Sequence, residues 1–220
     1  MRNNQPSPAD IGTFQHLLKS LELDPNLTDS VIDWIDSDSN TRPTGAEDID
    51  YLKMKTPYRA ANQPLQSVEE LRLIRGFTPE IVDKLLPWVT ALPQPTEINV
   101  NTAPPEVLAA VFYTLPASAI DQLHQQRPYK DQEKLNAKLQ EVAEGKPLSS
   151  VPIGVKSSYF EISVETLFGR YQRTTQALIQ RGAGKETFHH LWHSQRLPGW
   201  SAKVETKTGE KPEKTTGGNI

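Results

Sequence analysis

The 220-residue chain contains no cysteine, which excludes disulfides and thiolate metal sites but says nothing about compartment. No apolar run approaches the ~20 residues that a membrane-spanning helix needs. An excess of positive charge is also missing. Against 24 Lys+Arg stand 27 Asp+Glu, a net charge of −3, so the basic balance of a phosphate-binding surface is absent. Met1-Arg-Asn-Asn-Gln-Pro6 is polar and carries no secretory signal. That leaves a cytosolic protein, or a chain whose targeting segment lies outside it. There is no Gly-x-Ser-x-Gly, phosphate loop or dinucleotide fingerprint, and no serine or lysine stands out as a nucleophile. An enzyme is not expected.

What is present is ordinary globular composition, 36% hydrophobic and 23% charged, enough for one or two domains. Eighteen prolines beside 12 glycines point to many short, firmly punctuated elements. Ile11, Phe14, Leu17, Leu18 and Leu21 recur at helical spacing and predict a helix over 8–23, capped by Ser7 or Asp10. A second helix is predicted over 27–35, and a short third from about Ala46. Thr56–Pro64 reads as an extended connector, because each proline pushes the residue before it out of the α region. Ser67-Val-Glu-Glu70 reads as a capping box, and Pro79 suits the first turn of a helix through Leu86. Thr102 is expected to cap a helix through Phe112, and two more helices are predicted over 116–126 and 131–142. After Gly145 the period changes to two, giving strands over 159–168 and 170–181 with a turn at Phe168-Gly-Arg170. From about Ser201 the chain is Lys, Glu, Thr and Gly and reads as a disordered tail.

The densest chemical signal is Asp36-Ser-Asp38-Ser-Asn40-Thr-Arg-Pro-Thr-Gly45-Ala-Glu47-Asp48. Asp36, Asp38 and Asn40 occupy positions 1, 3 and 5 of a calcium-loop rhythm, and Glu47 occupies position 12. Asp29, Asp33, Asp36, Asp38, Glu47, Asp48 and Asp50 face a single base, Arg42, so the segment repels itself unless a cation or solvent relieves it. Thr41 stands where an EF-hand needs glycine, and Pro43 where it forms a β-bridge. The spacing therefore predicts a calcium loop that is not a paired EF-hand. A solvated acidic turn with helix caps is the plain alternative.

Two other signals are weaker. Arg75-Gly-Phe-Thr78 and the stretch from Ile98 resemble helix-hairpin-helix units of DNA-binding proteins of the competence type. The second hairpin, Thr114–Ser118, lacks the glycine that lets a phosphate approach backbone N–H groups. His189 and His193 have i, i+4 spacing, which on a helix would chelate zinc in a hydrolase, but no His-Glu-x-x-His is present.

Several blocks occur in a telling order. They are Asp33-Trp-Ile-Asp36-Ser-Asp38, Gly45-Ala-Glu-Asp48, Tyr51, Pro57-Tyr-Arg-Ala-Ala-Asn62, Ser67-Val-Glu-Glu-Leu71, Ile74-Arg-Gly76, Leu92-Pro93 and Ile98-Asn-Val-Asn-Thr-Ala103. The series resembles the K class of type II secretion minor pseudopilins (GspK) over roughly residues 10–182. The resemblance implies an α+β fold, with a large helical domain of helix-hairpin-helix and SAM-like elements inserted into a pseudopilin-type antiparallel sheet. Its divisions here would be a helical domain over 1–148, a sheet segment over 149–200 and the tail over 201–220. It implies Ca2+ in the helical domain, with Asp36, Asp38, Glu47 and Asp48 carried over from matching blocks. Asn40 rests on spacing alone, and Asp33 and Asp50 are weaker candidates. Asp33 is expected to face solvent or cap, and Trp34 to pack in the core.

The resemblance further implies a non-catalytic role at the tip of the periplasmic pseudopilus. The partners would be the I and J minor pseudopilins, with H nearby and no nucleic acid. There the family starts pseudopilus assembly and helps drive folded proteins across the outer membrane. The family opens with a basic leader and a hydrophobic helix anchored in the inner membrane. Met1 of this sequence is expected to enter that pattern just before the helical insert, leaving the C-terminal strands without their packing partner.

Overall fold

A computed structural model describes residues 7–148, 150–169, 171–182 and 188–196. The expected tail over 201–220 lies outside the described residues. The chain divides into two compact units between Ser157 and Ser158. The division falls later than 148/149 because Ile153–Gly154 pairs with Ile98–Asn99, inside the first unit.

The first unit is built from short helices, as the proline content demands: α1 Pro8–Ser20, α2 Leu27–Ile35, α3 Asp48–Leu52, α4 Pro79–Leu85, α5 Pro105–Val111, α6 Ala117–Gln125 and α7 Gln132–Ala143. A 3₁₀ helix spans Val68–Leu73, and β1 (Ile98–Asn99) pairs in parallel with β2 (Ile153–Gly154). This small parallel pair was not legible in the sequence, since two residues carry no period.

Two apolar clusters hold the unit. Leu17, Leu18, Leu27, Trp34, Tyr51, Leu71, Val82 and Leu85 form the first. Val100, Leu108, Val111, Phe112, Leu123, Leu135 and Leu139 form the second. Ala110 of α5 lies in the first cluster, and Ala9 of α1 packs against the second, so α1 and α5 join the two. Each large apolar side chain so buried contributes about 1.5–3 kcal/mol.

Two expected caps form differently. Ser67 makes no side-chain cap, and the Glu70 carboxylate instead accepts Gln66 N–H and Trp34 Nε1–H, both at 3.0 Å. The buried indole N–H needs an acceptor and takes this one. The helix expected from Thr102 begins only at Pro105, with Pro104 extended ahead of it. Proline at the first helical position fits there, and it forces its predecessor out of the α region.

The Ile98–Ala103 block is a polar knot. Asn101 Nδ2 donates to Tyr129 O (2.9 Å) and Val155 O (3.1 Å), while its Oδ1 accepts Tyr129 N–H at 2.7 Å. Arg127 Nη1 donates to the carbonyls of Val100, Asn101 and Ala103 at 3.2, 3.3 and 2.7 Å, and Nε donates to His124 O at 3.1 Å. Three carbonyl oxygens of the 100–103 loop and one from the last turn of α6 thus converge on one guanidinium, whose fixed fork suits them.

The second unit is an antiparallel sheet in the order β3 (Tyr159–Phe168), β4 (Tyr171–Arg181), β5 (Phe188–Arg196). The β3–β4 register runs from Tyr159 opposite Gln180 to Phe168 opposite Tyr171, closed through Gly169 at φ +59°. Glycine, with no Cβ, adopts such a φ without steric penalty. Ile162 and Val164 lie exposed on the same face of β3. The backbone of 188–196 is a strand, so the helical pairing of His189 with His193 does not form. Four residues along a strand span about 13 Å, too far for one zinc ion. The side chains there lie outside the described residues.

Candidate metal centre

The acidic loop starts where α2 stops. Asp36 N–H still bonds to Ile32 O at 2.8 Å, but its backbone is extended at φ −72°, ψ 166°. Asp38 Oδ1 then accepts Asn40 N–H at 2.8 Å, an Asx turn that bends the chain back. Gly45 N–H donates to Arg42 O at 3.1 Å, a second turn, and Glu47 precedes α3. Asp50 Oδ2 accepts Glu47 N–H at 3.2 Å.

These bends bring Asp36, Asp38 and Glu47 together, with one carboxylate oxygen from each lying within 4.8 Å of the others. Oxygens on opposite sides of a calcium ion, each about 2.3–2.6 Å from it, lie about 5 Å apart, so the spacing fits one hard dication. Asp36 and Glu47 are buried, at 8% and 3% exposure. Among the described residues, Asp36 Oδ1 and Glu47 Oε1 have no hydrogen-bond partner. Carboxylate oxygens buried without a donor are costly unless a proton or a cation satisfies them. The donor set, all oxygen and mostly charged, suits calcium better than a softer metal.

The electrostatics agree with the geometry. Burial, then the charges of Asp33, Asp36 and Asp38, pushes the Glu47 carboxyl up to about 7. Asp36 is raised as well, by burial first and then by Asp38. Without a cation the folded chain therefore holds a proton on Glu47 that the unfolded chain releases near pH 4.5. This contribution to stability is complete below about pH 4.5 and is lost as pH rises through about 7. Calcium-free melts between pH 5 and 8 should show the decline, and Glu47→Gln should flatten it. A Glu47→Gln profile parallel to the wild type would place the slope elsewhere.

The other expected ligands are placed differently. Asp48 is not brought into the cluster. Its Oδ1 accepts Ala60 N–H at 3.0 Å and its Oδ2 pairs with Arg59, so its carboxylate ties the 57–62 connector to the start of α3. The exposed Asn40 has its place set by its N–H to Asp38. Asp50 caps Glu47 N–H and lies 3.9 Å from Arg75 Nη1.

Asp33 is the residue that sequence reasoning misjudged. It is fully buried at 0% exposure, where a solvent-facing or capping side chain was expected. Its Oδ2 accepts Arg42 N–H at 3.0 Å, and Oδ1 lies 3.5 Å from Arg42 Nε. Burial is the main reason its carboxyl rises to about 6. Asp29 Oδ2 also grips the loop, accepting Thr44 N–H (3.3 Å) and Thr44 Oγ1–H (2.8 Å). The signal that could have revealed Asp33 is its position one helical turn before Asp36, on a helix whose next residue is the core Trp34.

The hairpins with helix-hairpin-helix character offer little to a phosphate. Arg75 N–H donates to Tyr51 Oη at 3.2 Å, Phe77 N–H to Ile74 O at 3.1 Å and Leu115 N–H to Phe112 O at 2.8 Å. These backbone donors are already used inside the protein.

The family described as "Type II secretion system (T2SS), protein K" matches this chain twice, over residues 1–94 and 98–159. The break falls between the two apolar clusters. Type II secretion system protein K of Pseudomonas aeruginosa is 32% identical over 189 residues, which cover 83% of this chain and 56% of that protein. Its namesake in Aeromonas hydrophila is 33% identical over 193 residues, covering 81% and 58%. The chain spans a little over half the length of these curated relatives. Among solved structures, a chain of the GspK-GspI-GspJ complex of the enterotoxigenic Escherichia coli type 2 secretion system superposes with a TM-score of 0.73. It is 26% identical, and the match covers 88% of this chain and 73% of that one. These matches lend no support to the DNA-binding reading.

Proposed function

The chain belongs to the type II secretion system protein K family, and from that premise we propose that it is a non-catalytic minor pseudopilin acting at the tip of the periplasmic pseudopilus. In this reading it binds the I and J minor pseudopilins, sits near H, starts pseudopilus assembly and supports export of folded proteins across the outer membrane. The observation that carries the reading is the superposition on a chain of the GspK-GspI-GspJ complex along most of the length. The sheet β3–β5 is then part of a pseudopilin-type sheet into which the helical unit is inserted. The exposed apolar row with Ile162 and Val164 is the face that such a fold would cover with its long helix.

We further propose that calcium occupies the loop, held by Asp36, Asp38 and Glu47, with Asn40 in the turn that its N–H makes with Asp38. The ion supplies positive charge that offsets carboxylate repulsion. The protein side of the bargain is geometric: Asp36 fixes the end of α2 and Glu47 the start of α3, so a ligated loop locks two helices of the first apolar cluster. The role is rigidity rather than sensing.

The assembly reading is tested by mixing the purified 220-residue chain with soluble I and J minor pseudopilins of the same secretion system. A complex containing all three, eluting ahead of each component in size-exclusion chromatography, is the expected result. Separate elution at tens of micromolar would sink the reading.

A further inference from the structure

We infer that Asp33 is the positioning residue of the loop, working as one half of a clamp whose other half is the missing side chain of Gly45. The inference rests on the calcium reading above. It adds a residue outside the ligand cluster: among the described residues, the acidic oxygens brought within 4.8 Å of one another come from Asp36, Asp38 and Glu47.

The clamp is visible in three independent observations. Asp33 projects from α2, one turn before Asp36, into a space where it has no solvent exposure. Its Oδ2 takes the N–H of Arg42, nine residues on, and so anchors the middle of the loop to the helix that carries Asp36. Gly45 closes over the same carboxylate. A Cβ built there would run into Asp33 Oδ2 and lie 2.6 Å from its Cγ. Gly45 does not have a positive φ, so alanine would suit its backbone. The main objection to a side chain is Asp33 itself, with the Asp29 carbonyl oxygen a second and looser neighbour at 3.2 Å.

The clamp therefore decides the approach of the two ends of the loop. Asp36 and Asp38 arrive from the α2 side, and Glu47 follows Gly45 by two residues. If the 42–45 turn drifts from α2, Glu47 drifts from Asp36. Partners that orient metal ligands without touching the metal typically set affinity by 10–100-fold.

The test is calcium titration of the full chain by isothermal calorimetry, with circular dichroism to confirm folding at the working temperature. Gly45→Ala leaves every acid in place, so any loss it causes is neither lost charge nor a lost ligand. It should weaken calcium binding by roughly tenfold or more. Asp33→Ala should do the same. The double variant should bind nearly as well as Asp33→Ala alone, because the added methyl then meets no carboxylate and only the Asp29 carbonyl, at 3.2 Å, must give slightly. Asp33→Asn keeps an oxygen for Arg42 N–H and should retain more affinity than Asp33→Ala.

Wild-type affinity in Gly45→Ala would overturn the clamp. So would additive losses in the double variant, or an Asp33→Asn loss as large as that of Asp33→Ala. The absence of calcium binding by the wild-type chain would instead remove the reading on which the clamp rests.

Discussion

In thermal melts, calcium at a hundredfold excess over its dissociation constant is expected to stabilise the chain by about 2.7 kcal/mol relative to chelator. A helical unit of this size should then melt roughly 5–10 °C higher. The sign needs no detailed energetics, since a ligand that binds only the folded state must raise the midpoint. The size depends on how well the site is formed before binding. Here two of the three clustered carboxylates are already buried, with oxygens that lack donors. Ligation relieves a cost that the fold carries. Magnesium should do less, because it gives up water reluctantly and demands near-octahedral geometry. The shift should also shrink as pH falls below about 7, where the proton held by Glu47 competes with the ion. Asp36→Asn combined with Glu47→Gln should abolish it. An unchanged midpoint in the wild type would remove calcium from the account and leave the family assignment standing.

Arg127→Ala should cost about 3–4 kcal/mol in urea unfolding, the other large effect expected of this chain. Its guanidinium serves the carbonyls of Val100, Asn101, Ala103 and His124. Val100 and Ala103 belong to the second apolar cluster, where water cannot easily replace the lost donors. A hydrogen bond to a charged group contributes about 1.5–3 kcal/mol, and a carbonyl left buried and bare adds its desolvation cost. Arg127→Lys should recover less than half of the loss, since one ammonium cannot reproduce the fork. The damage should stay local. The calcium shift ought to persist in Arg127→Ala, because the loop packs with the first cluster, and distant sites act nearly additively. A loss below about 1 kcal/mol would mean that the loops hold their carbonyls satisfied without it.

The helices were legible because a helix announces itself locally. Leu17 and Leu18 carry the period of α1, Pro79 marks the first turn of α4, and Asp131 caps α7 through Lys134 N–H. The strands β3 and β4 were legible for the same reason, at period two. β5 was missed, since Phe188–Arg196 mixes histidines, serine and glutamine with apolar residues and shows neither pattern. At the site, Asp36, Asp38 and Glu47 were legible from spacing. That Asp48 turns to Arg59 and Ala60 was not legible, because these partners lie eleven and twelve residues away, in a connector whose path no local rule gives.

The sequence by itself thus determined which segments are helical, which oxygens can face one another in the 36–47 loop, and the family to which the ordered blocks point. The helices rest on neighbours within a few residues, where backbone geometry fixes what side chains can do, and the loop and the family rest on the spacing and order of motifs. Tertiary structure alone decided that Asp33 is buried beneath Gly45, that Glu70 serves Trp34 across 36 residues of chain, and that Asp48 turns from the cluster to Arg59. These are contests among donors brought together by packing. A carboxylate goes to whichever donor the fold leaves nearest, and only the assembled chain contains that answer.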